Sequence, residues 1–156
     1  MPRLLALLTV MALALAVPMS ASAAAPDQIR GSGLNEGWFD FDVRVLVRDG
    51  DARGTLRVDE FGAANYDIDG AVVCAAVFGD GAVVAAARPE GSTTTRVVFL
   101  ALRDLDTTTQ GFDRAAPAFS VVPTGQPLDG LCEESLWLLG ATEPLDDGDV
   151  RIRDRG

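Results

Sequence analysis

The stretch from Trp38 to Arg48 constrains the fold of this chain most, because its apolar residues recur at every second position. Such alternation is typical of a β-strand with one buried face. One face carries apolar side chains only: Phe39, Phe41, Val43, Val45 and Val47. The other is mostly polar: Trp38, Asp40, Asp42, Arg44, Leu46 and Arg48. The pattern predicts a half-buried strand in an antiparallel sheet.

The residues that follow this strand predict a hairpin. Asp49-Gly50 is a favoured two-residue turn, and the alternation resumes from Thr55 to Asp59 with Leu56 and Val58 on the inner face. More short apolar runs follow, separated by turns that contain Gly and Asp, and residues 24–156 show no convincing helical periodicity. The chain is therefore predicted to be all-β, a small antiparallel β-barrel, with a two-sheet β-sandwich as the alternative.

The later strands are less uniform. Tyr66–Phe78 changes from a half-polar to an apolar pattern at Gly70, which predicts a bulge or bend there and a second half that is covered on both faces. Residues 104–127 read as a long loop around one short strand, because prolines interrupt them. The further predicted strands are Ala82–Ala87, Arg96–Arg103, Ala118–Val122, Leu136–Leu139 and Val150–Arg153.

The amino-terminal residues have the pattern of a cleavable export signal. Arg3 precedes an apolar run from Leu4 to Val17 that is interrupted only by Thr9, and Ala21-Ser22-Ala23 offers the small residues that a signal peptidase accepts. The run is shorter than the roughly 20 residues of a membrane-spanning helix. We expect a signal peptide over residues 1–23, a flexible lead-in over 24–36 with a short strand at Gln28–Ser32, and a single β domain over 37–154.

The predicted export and the amino-acid composition together limit the reactions and the partners that are open to this chain. An even cysteine count in an exported chain predicts a disulfide between Cys74 and Cys132, the only two cysteines. The chain has neither His nor Lys, which excludes histidine-based triads, lysine Schiff bases and P-loops. Its net charge of −10 disfavours nucleic acid and anionic lipid as partners. No motif indicates a cofactor.

Paired carboxylates offer one catalytic hypothesis. Asp40 and Asp42 share a strand face at a spacing of about 7 Å, which would suit acid/base hydrolysis of a glycosidic bond, and Asp67 and Asp69 repeat the pattern. The favoured interpretation is a solvated strand face, balanced by arginines on the same or a neighbouring strand. The acidic turn around Gly148 lacks the ligand spacing of an EF-hand, so no metal site is predicted.

The aromatic residues offer a binding hypothesis. Trp38, Tyr66, Phe78 and Trp137 would either line a pocket inside the barrel or, as we favour, fill its core and cap its ends. Trp38 has the parity of the polar face, where an exposed ring would mark a contact surface. We take Trp38, Tyr66 and Trp137 as the candidate residues for binding a ligand or partner.

The order of these features resembles a group of small, largely uncharacterised secreted proteins from actinobacteria. The resemblance covers most of residues 37–153 and is carried by a Gly-x-Val-x-Cys strand, a later Cys132 and a closing Gly148-Asp149-Val150 strand, in which Asp149 stands where that group has Asn. It implies an exported β-rich fold and brings no activity with it.

Three functions follow as hypotheses. The first is a secreted or envelope-associated, non-enzymatic domain that binds a protein partner or a small apolar ligand. The second is an extracellular hydrolase that uses carboxylates, and the third is a structural protein of the cell envelope. A hydrolase requires two facing carboxylates in a cleft, and a ligand carrier requires an open apolar cavity of about 300 Å³ or more.

Overall fold

The structure, a computed structural model, describes residues 25–62, 66–105 and 113–155. The predicted signal peptide, residues 1–23, lies outside these ranges and stays a prediction. Within the described ranges, no helix combines the length and the apolar character needed to cross a membrane.

The described residues form one antiparallel sheet of nine strands in the order β8-β7-β6-β5-β4-β3-β2-β1-β9. The sheet curls into a barrel-like shape around one apolar interior, which confirms the all-β prediction and favours the barrel over the sandwich. The strands are β1 (Asp27–Asn35), β2 (Phe39–Arg48), β3 (Asp51–Glu60), β4 (Ile68–Phe78), β5 (Gly81–Glu90), β6 (Thr94–Arg103), β7 (Arg114–Pro123), β8 (Glu143–Pro144) and β9 (Asp147–Arg153).

The predicted hairpin of β2 and β3 is confirmed. The two strands pair from Phe39 opposite Glu60 to Arg48 opposite Asp51. Asp49 and Gly50 make the turn with φ angles of 52° and 83°, the left-handed pair that matches the twist of a two-residue hairpin. All five apolar positions of the inner face pack in or against the barrel core.

The prediction of a flexible lead-in over 24–36 is wrong, because β1 occupies most of that range between β2 and β9. The expected short strand at Gln28–Ser32 is present and extends in both directions. The sequence of β1 does not show alternating apolar residues, because Gly31 and Gly33 occupy two of its inward positions. A Cβ atom on Gly33 would lie 2.8 Å from the Phe41 ring, and one on Gly31 would lie 2.9 Å from the carbonyl oxygen of Asp149. The core leaves no room for side chains where the alternation calls for apolar ones.

A short segment that includes β8 and β9 joins the two ends of the sheet. β8 pairs with β7, and β9 pairs with β1. Between them, the N–H of Leu145 donates to the carbonyl oxygen of Asp113, and the N–H of Asp146 donates to that of Leu34, both at 2.9 Å. The barrel is thus closed by the segment that connects its last two strands.

A bulge in β4 separates an inner from an outer apolar cluster. Val72 pairs with Ala86 while Cys74 pairs with Ala85, so β4 contains one extra residue at Val73. Val72 consequently belongs to the inner core and Cys74 to the outer cluster. The predicted change of pattern is real, but the bulge lies further along the strand than Gly70.

β5 and β6 are buried on both faces, as their apolar patterns predict. Alternate residues of each strand point into the barrel, and the residues between them form the outer cluster. Neighbouring Val97 and Val98, for example, are both fully buried, on opposite faces. A sheet with two covered faces needs a second layer outside the barrel.

That second layer is a helical segment, residues 131–141, which we call the cap. It consists of α1 (Leu131–Glu134) and a 3₁₀ helix (Leu136–Ala141), so the prediction of a strand at Leu136–Leu139 and of no helix is wrong. Each helix is too short for a periodicity window. Apolar residues nevertheless recur three or four positions apart, which places them on one side of a helical segment: Leu131, Cys132, Leu136 and Leu139.

β7 is longer than the predicted strand at Ala118–Val122 and begins at Arg114. β8 pairs with it only at Arg114 and Ala115, so the rest of that edge needs no hydrogen-bond donor. Proline is tolerated on such an edge, which explains how Pro117 lies inside the strand. Residues 106–112 of the predicted loop lie outside the described part of the chain.

Candidate functional site

A disulfide fastens the cap to the barrel. Cys74 of β4 and Cys132 of α1 are bonded, with 2.11 Å between their sulfur atoms and 5.8 Å between their Cα atoms, which confirms the predicted pair. Such a bond is compatible with an oxidising extracellular compartment. The bulge is what makes the bond feasible, because it turns Cys74 onto the outer face.

Hydrogen bonds hold the far end of the cap. The Nε of Arg103 donates to the carbonyl oxygen of Leu139 at 3.1 Å, and the Nη2 of Arg114 donates to that of Thr142 at 2.6 Å. The side chains of Leu138 and Leu139 are buried in the outer cluster. The cap is therefore anchored at both ends and along one side.

Two aromatic side chains on this outer side point into solvent. Trp137 of the cap and Phe78, the last residue of β4, are each 71% exposed. Phe78 pairs with Gly81, where a Cβ atom would lie 2.7 Å from the side chain of Leu139. Phe78 thus lies beside the strand position on which the cap rests, and neither ring lines the interior pocket considered from the sequence.

The two other candidate aromatics support the barrel instead. Trp38 precedes β2, is half-buried against the inner core and contacts Phe39 edge-on at 5.2 Å between ring centroids. Tyr66 packs against the same core and contacts the Phe119 ring at 5.6 Å, and the guanidinium of Arg96 lies 5.3 Å from that ring. Both agree with the favoured interpretation of core and end caps. Trp38 does not form the exposed patch that its parity indicates, and Trp137 lies apart from both.

Three of the predicted acidic residues, Asp40, Asp42 and Asp69, lie on solvated strand faces, and the part-buried Asp67 lies directly before β4. Asp40 and Asp42 form ion pairs with Arg57 at 3.8 Å and with Arg44 at 3.5 Å, as the favoured interpretation requires. The carboxylate of Asp67 accepts the main-chain N–H of Glu60 at 2.6 Å. Over the described ranges, no group of three or more acidic or cysteine side chains is arranged to hold a metal ion.

Burial raises the pKa of the Asp104 carboxyl group, because it penalises the charged form, and the nearby Asp113 raises it further. The Oδ2 of Asp104 accepts the N–H of Ile152 at 2.8 Å. That position places it at the closure of the barrel, where its contact is with the backbone of β9.

Sequence reasoning missed a row of arginines on the outer face of β9, β1 and β2. Arg30 of β1 lies directly opposite Arg151 of β9 on one side and Arg44 of β2 on the other. A groove of about 710 Å³ runs over this row and is also lined by Arg53. The only signal in the sequence is the outward parity of each arginine, because their alignment depends on the register of three strands.

Comparisons with models of protein families, with curated proteins and with solved structures give no match. Two outer surfaces of the barrel are candidate sites: the cap with its exposed rings and the arginine groove.

Proposed function

We propose that this chain is an exported, non-enzymatic binding domain that contacts a protein partner through Phe78 and Trp137. The observation that carries the proposal is the 71% exposure of both rings on the side of the barrel that the cap covers. Aromatic side chains supply much of the binding energy of protein interfaces, since each buries a large apolar area with few rotatable bonds.

The support beneath these rings favours binding. Leu138 and Leu139 follow Trp137 directly and are buried, and Cys132 ties the start of the cap to β4. The backbone that carries the indole is therefore fixed before a partner arrives. A preorganised contact loses less conformational entropy on binding than a mobile one.

The interior of the barrel favours a protein partner over a small apolar ligand. Phe39, Leu56 and Leu100 are fully buried and point inward, together with the other members of the inner cluster. An apolar ligand would need a cavity of about 300 Å³ or more in the space that these side chains fill.

Export is the second part of the proposal. The predicted signal peptide and the Cys74–Cys132 bond both suit a chain that folds outside the cytoplasm. The intact mass of the protein recovered from the medium or envelope of its own host should correspond to residues 24–156 with two hydrogens fewer for the disulfide. A mass that includes Met1 would contradict cleavage.

Affinity capture tests the binding surface. The mature protein and its Trp137→Ser and Phe78→Ser variants are used as baits in the envelope and medium fractions of the host. Leu46→Ser is the matched control, because Leu46 is 45% exposed on β2, away from the cap. We expect a partner that the wild type and the control retain alike and that both aromatic variants lose. Equal capture by all four baits would overturn the proposal.

A further inference from the structure

We propose that the arginine groove binds a phosphate group, either inorganic phosphate or a phosphate monoester. The site consists of the row Arg151, Arg30 and Arg44, with Arg53 beside it. It lies on the outer face of strands other than those that the cap covers, and it is independent of the function proposed for the cap.

The register of three strands brings the guanidinium groups together. Arg151, Arg30 and Arg44 are directly opposed across β9, β1 and β2, and adjacent strands lie about 4.8 Å apart. All three side chains point outward, because their neighbours Ile29 and Val150 are buried in the barrel core. Three cations therefore line one straight row across the sheet.

This row costs folding energy, since like charges directly opposite each other on a sheet repel. The outer two arginines are partly balanced: Arg44 pairs with Asp42 at 3.5 Å and Arg151 with Asp149 at 2.8 Å. Both ion pairs use the Nε of the guanidinium. In the part of the chain that the structure describes, Arg30 at the centre forms no ion pair, and neither does Arg53. A bound dianion would relieve the repulsion at the central position.

Arginine suits phosphate in particular. Its planar guanidinium presents paired N–H groups that match two oxygens of a phosphate, and such charge-assisted bonds are stronger than neutral ones. The groove of about 710 Å³ is open to solvent and large enough for a phosphate with a small substituent. Ser32, which also lines the groove, adds a hydroxyl group that donates to an anion.

The surrounding charges favour a small anion over a polymer. One row along the sheet, Asp149 and Asp42 lie opposite Ser32 from either side. Both carboxylates also line the groove, but its four arginines leave a surplus of two positive charges. One phosphate dianion matches that surplus, whereas a long polyanion exceeds it. The net charge of −10 would repel a nucleic acid further. The basic groove is thus a local exception on an acidic chain.

Calorimetric titration at constant ionic strength tests the site. Inorganic phosphate, glycerol phosphate and duplex DNA are titrated into the mature wild type, into Arg30→Gln and into Arg88→Gln. Arg88 is an exposed arginine of β5 outside the groove, so its variant matches the change in charge. Urea unfolding of each variant checks its fold, which Arg30→Gln should retain because the side chain is exposed.

We expect saturable binding of one phosphate per chain, weakened about tenfold or more by Arg30→Gln and unchanged by Arg88→Gln. Tighter binding of glycerol phosphate than of inorganic phosphate would identify a monoester as the ligand, and the reverse order would identify the free ion. Binding that Arg30→Gln and Arg88→Gln weaken alike, no saturation by about 10 mM phosphate, or tighter binding of DNA than of phosphate would each overturn the proposal.

Discussion

The carboxylate of Asp113 accepts the main-chain N–H of Val150 at 2.6 Å, across the line where the sheet closes. Its other oxygen accepts the N–H of Leu105 at 3.0 Å, and its carbonyl oxygen accepts that of Leu145 at 2.9 Å. One buried residue thus joins the end of β6, the segment before β9 and β9 itself. On the edge strand β9, the side chain of Asp113 thus accepts a hydrogen bond that a tenth strand would otherwise accept.

Asp113→Ala is predicted to destabilise the barrel by about 3 kcal/mol, because it leaves two largely buried N–H groups without an acceptor. Asp113→Asn keeps one acceptor oxygen and should lose less. Urea unfolding measures both, with exposed Asp51→Ala as the control. A stability of Asp113→Ala equal to that of the wild type would show that the side chain does not close the barrel.

Asp104→Asn should stabilise the protein at pH 7, which is the opposite of the effect predicted for Asp113→Ala. Burial raises the pKa of Asp104 above its ordinary value of 3.8, so the folded state binds this proton more tightly than the unfolded state. The resulting stabilisation is complete below that ordinary value and is lost as the pH rises through the raised pKa. The Asn amide oxygen still accepts the N–H of Ile152 and carries no charge.

The measurement is the difference in unfolding free energy between Asp104→Asn and the wild type as a function of pH. The variant should be more stable at pH 7 by about 1 kcal/mol at most, and the difference should shrink as the pH is lowered. Asp51→Asn, at the exposed start of β3, serves as the control. A variant that is less stable than the wild type at pH 7 would mean that the charge of Asp104 is needed.

Loss of the disulfide should release the cap. Cys74→Ala with Cys132→Ala opens a link between residues 58 positions apart, which corresponds to about 4 kcal/mol in the chain-entropy model. Amide hydrogen exchange should accelerate in residues 131–141 more than in β2 and β3, because the cap has the bond as its anchor to β4. Uniform acceleration across the chain would contradict a separately fastened cap.

Local sequence patterns predicted the strands that have one solvent-exposed face and one buried face. The β2–β3 hairpin follows from alternation and from Asp49-Gly50 alone. The same logic fails for β1, where Gly31 and Gly33 stand in for apolar residues because Val150 and Phe41 approach too closely for side chains. It fails at the cap too, because four- and six-residue helices contain too few turns to show a period.

The candidate surfaces depended on tertiary pairing, and that is why the sequence predicted them only in part. Trp137 is a candidate both from the sequence and from the structure. It is exposed, however, because it lies in a helical cap, where the sequence predicted a strand. The arginine row is invisible in the sequence, since Arg30 and Arg151 become neighbours only when β9 pairs with β1. A bulge at Val73, which no residue type signals, decides which face Cys74 occupies.

Site-specific photo-cross-linking in intact host cells shows whether the cap is a partner-binding surface. A photoreactive amino acid replaces Trp137 in one strain and Leu46, exposed on β2, in another. We expect a cross-linked product of one discrete mass from position 137 outside the cytoplasm, and none from position 46. Absence of any product from position 137, or the same products from both positions, would show that the cap is not a partner-binding surface.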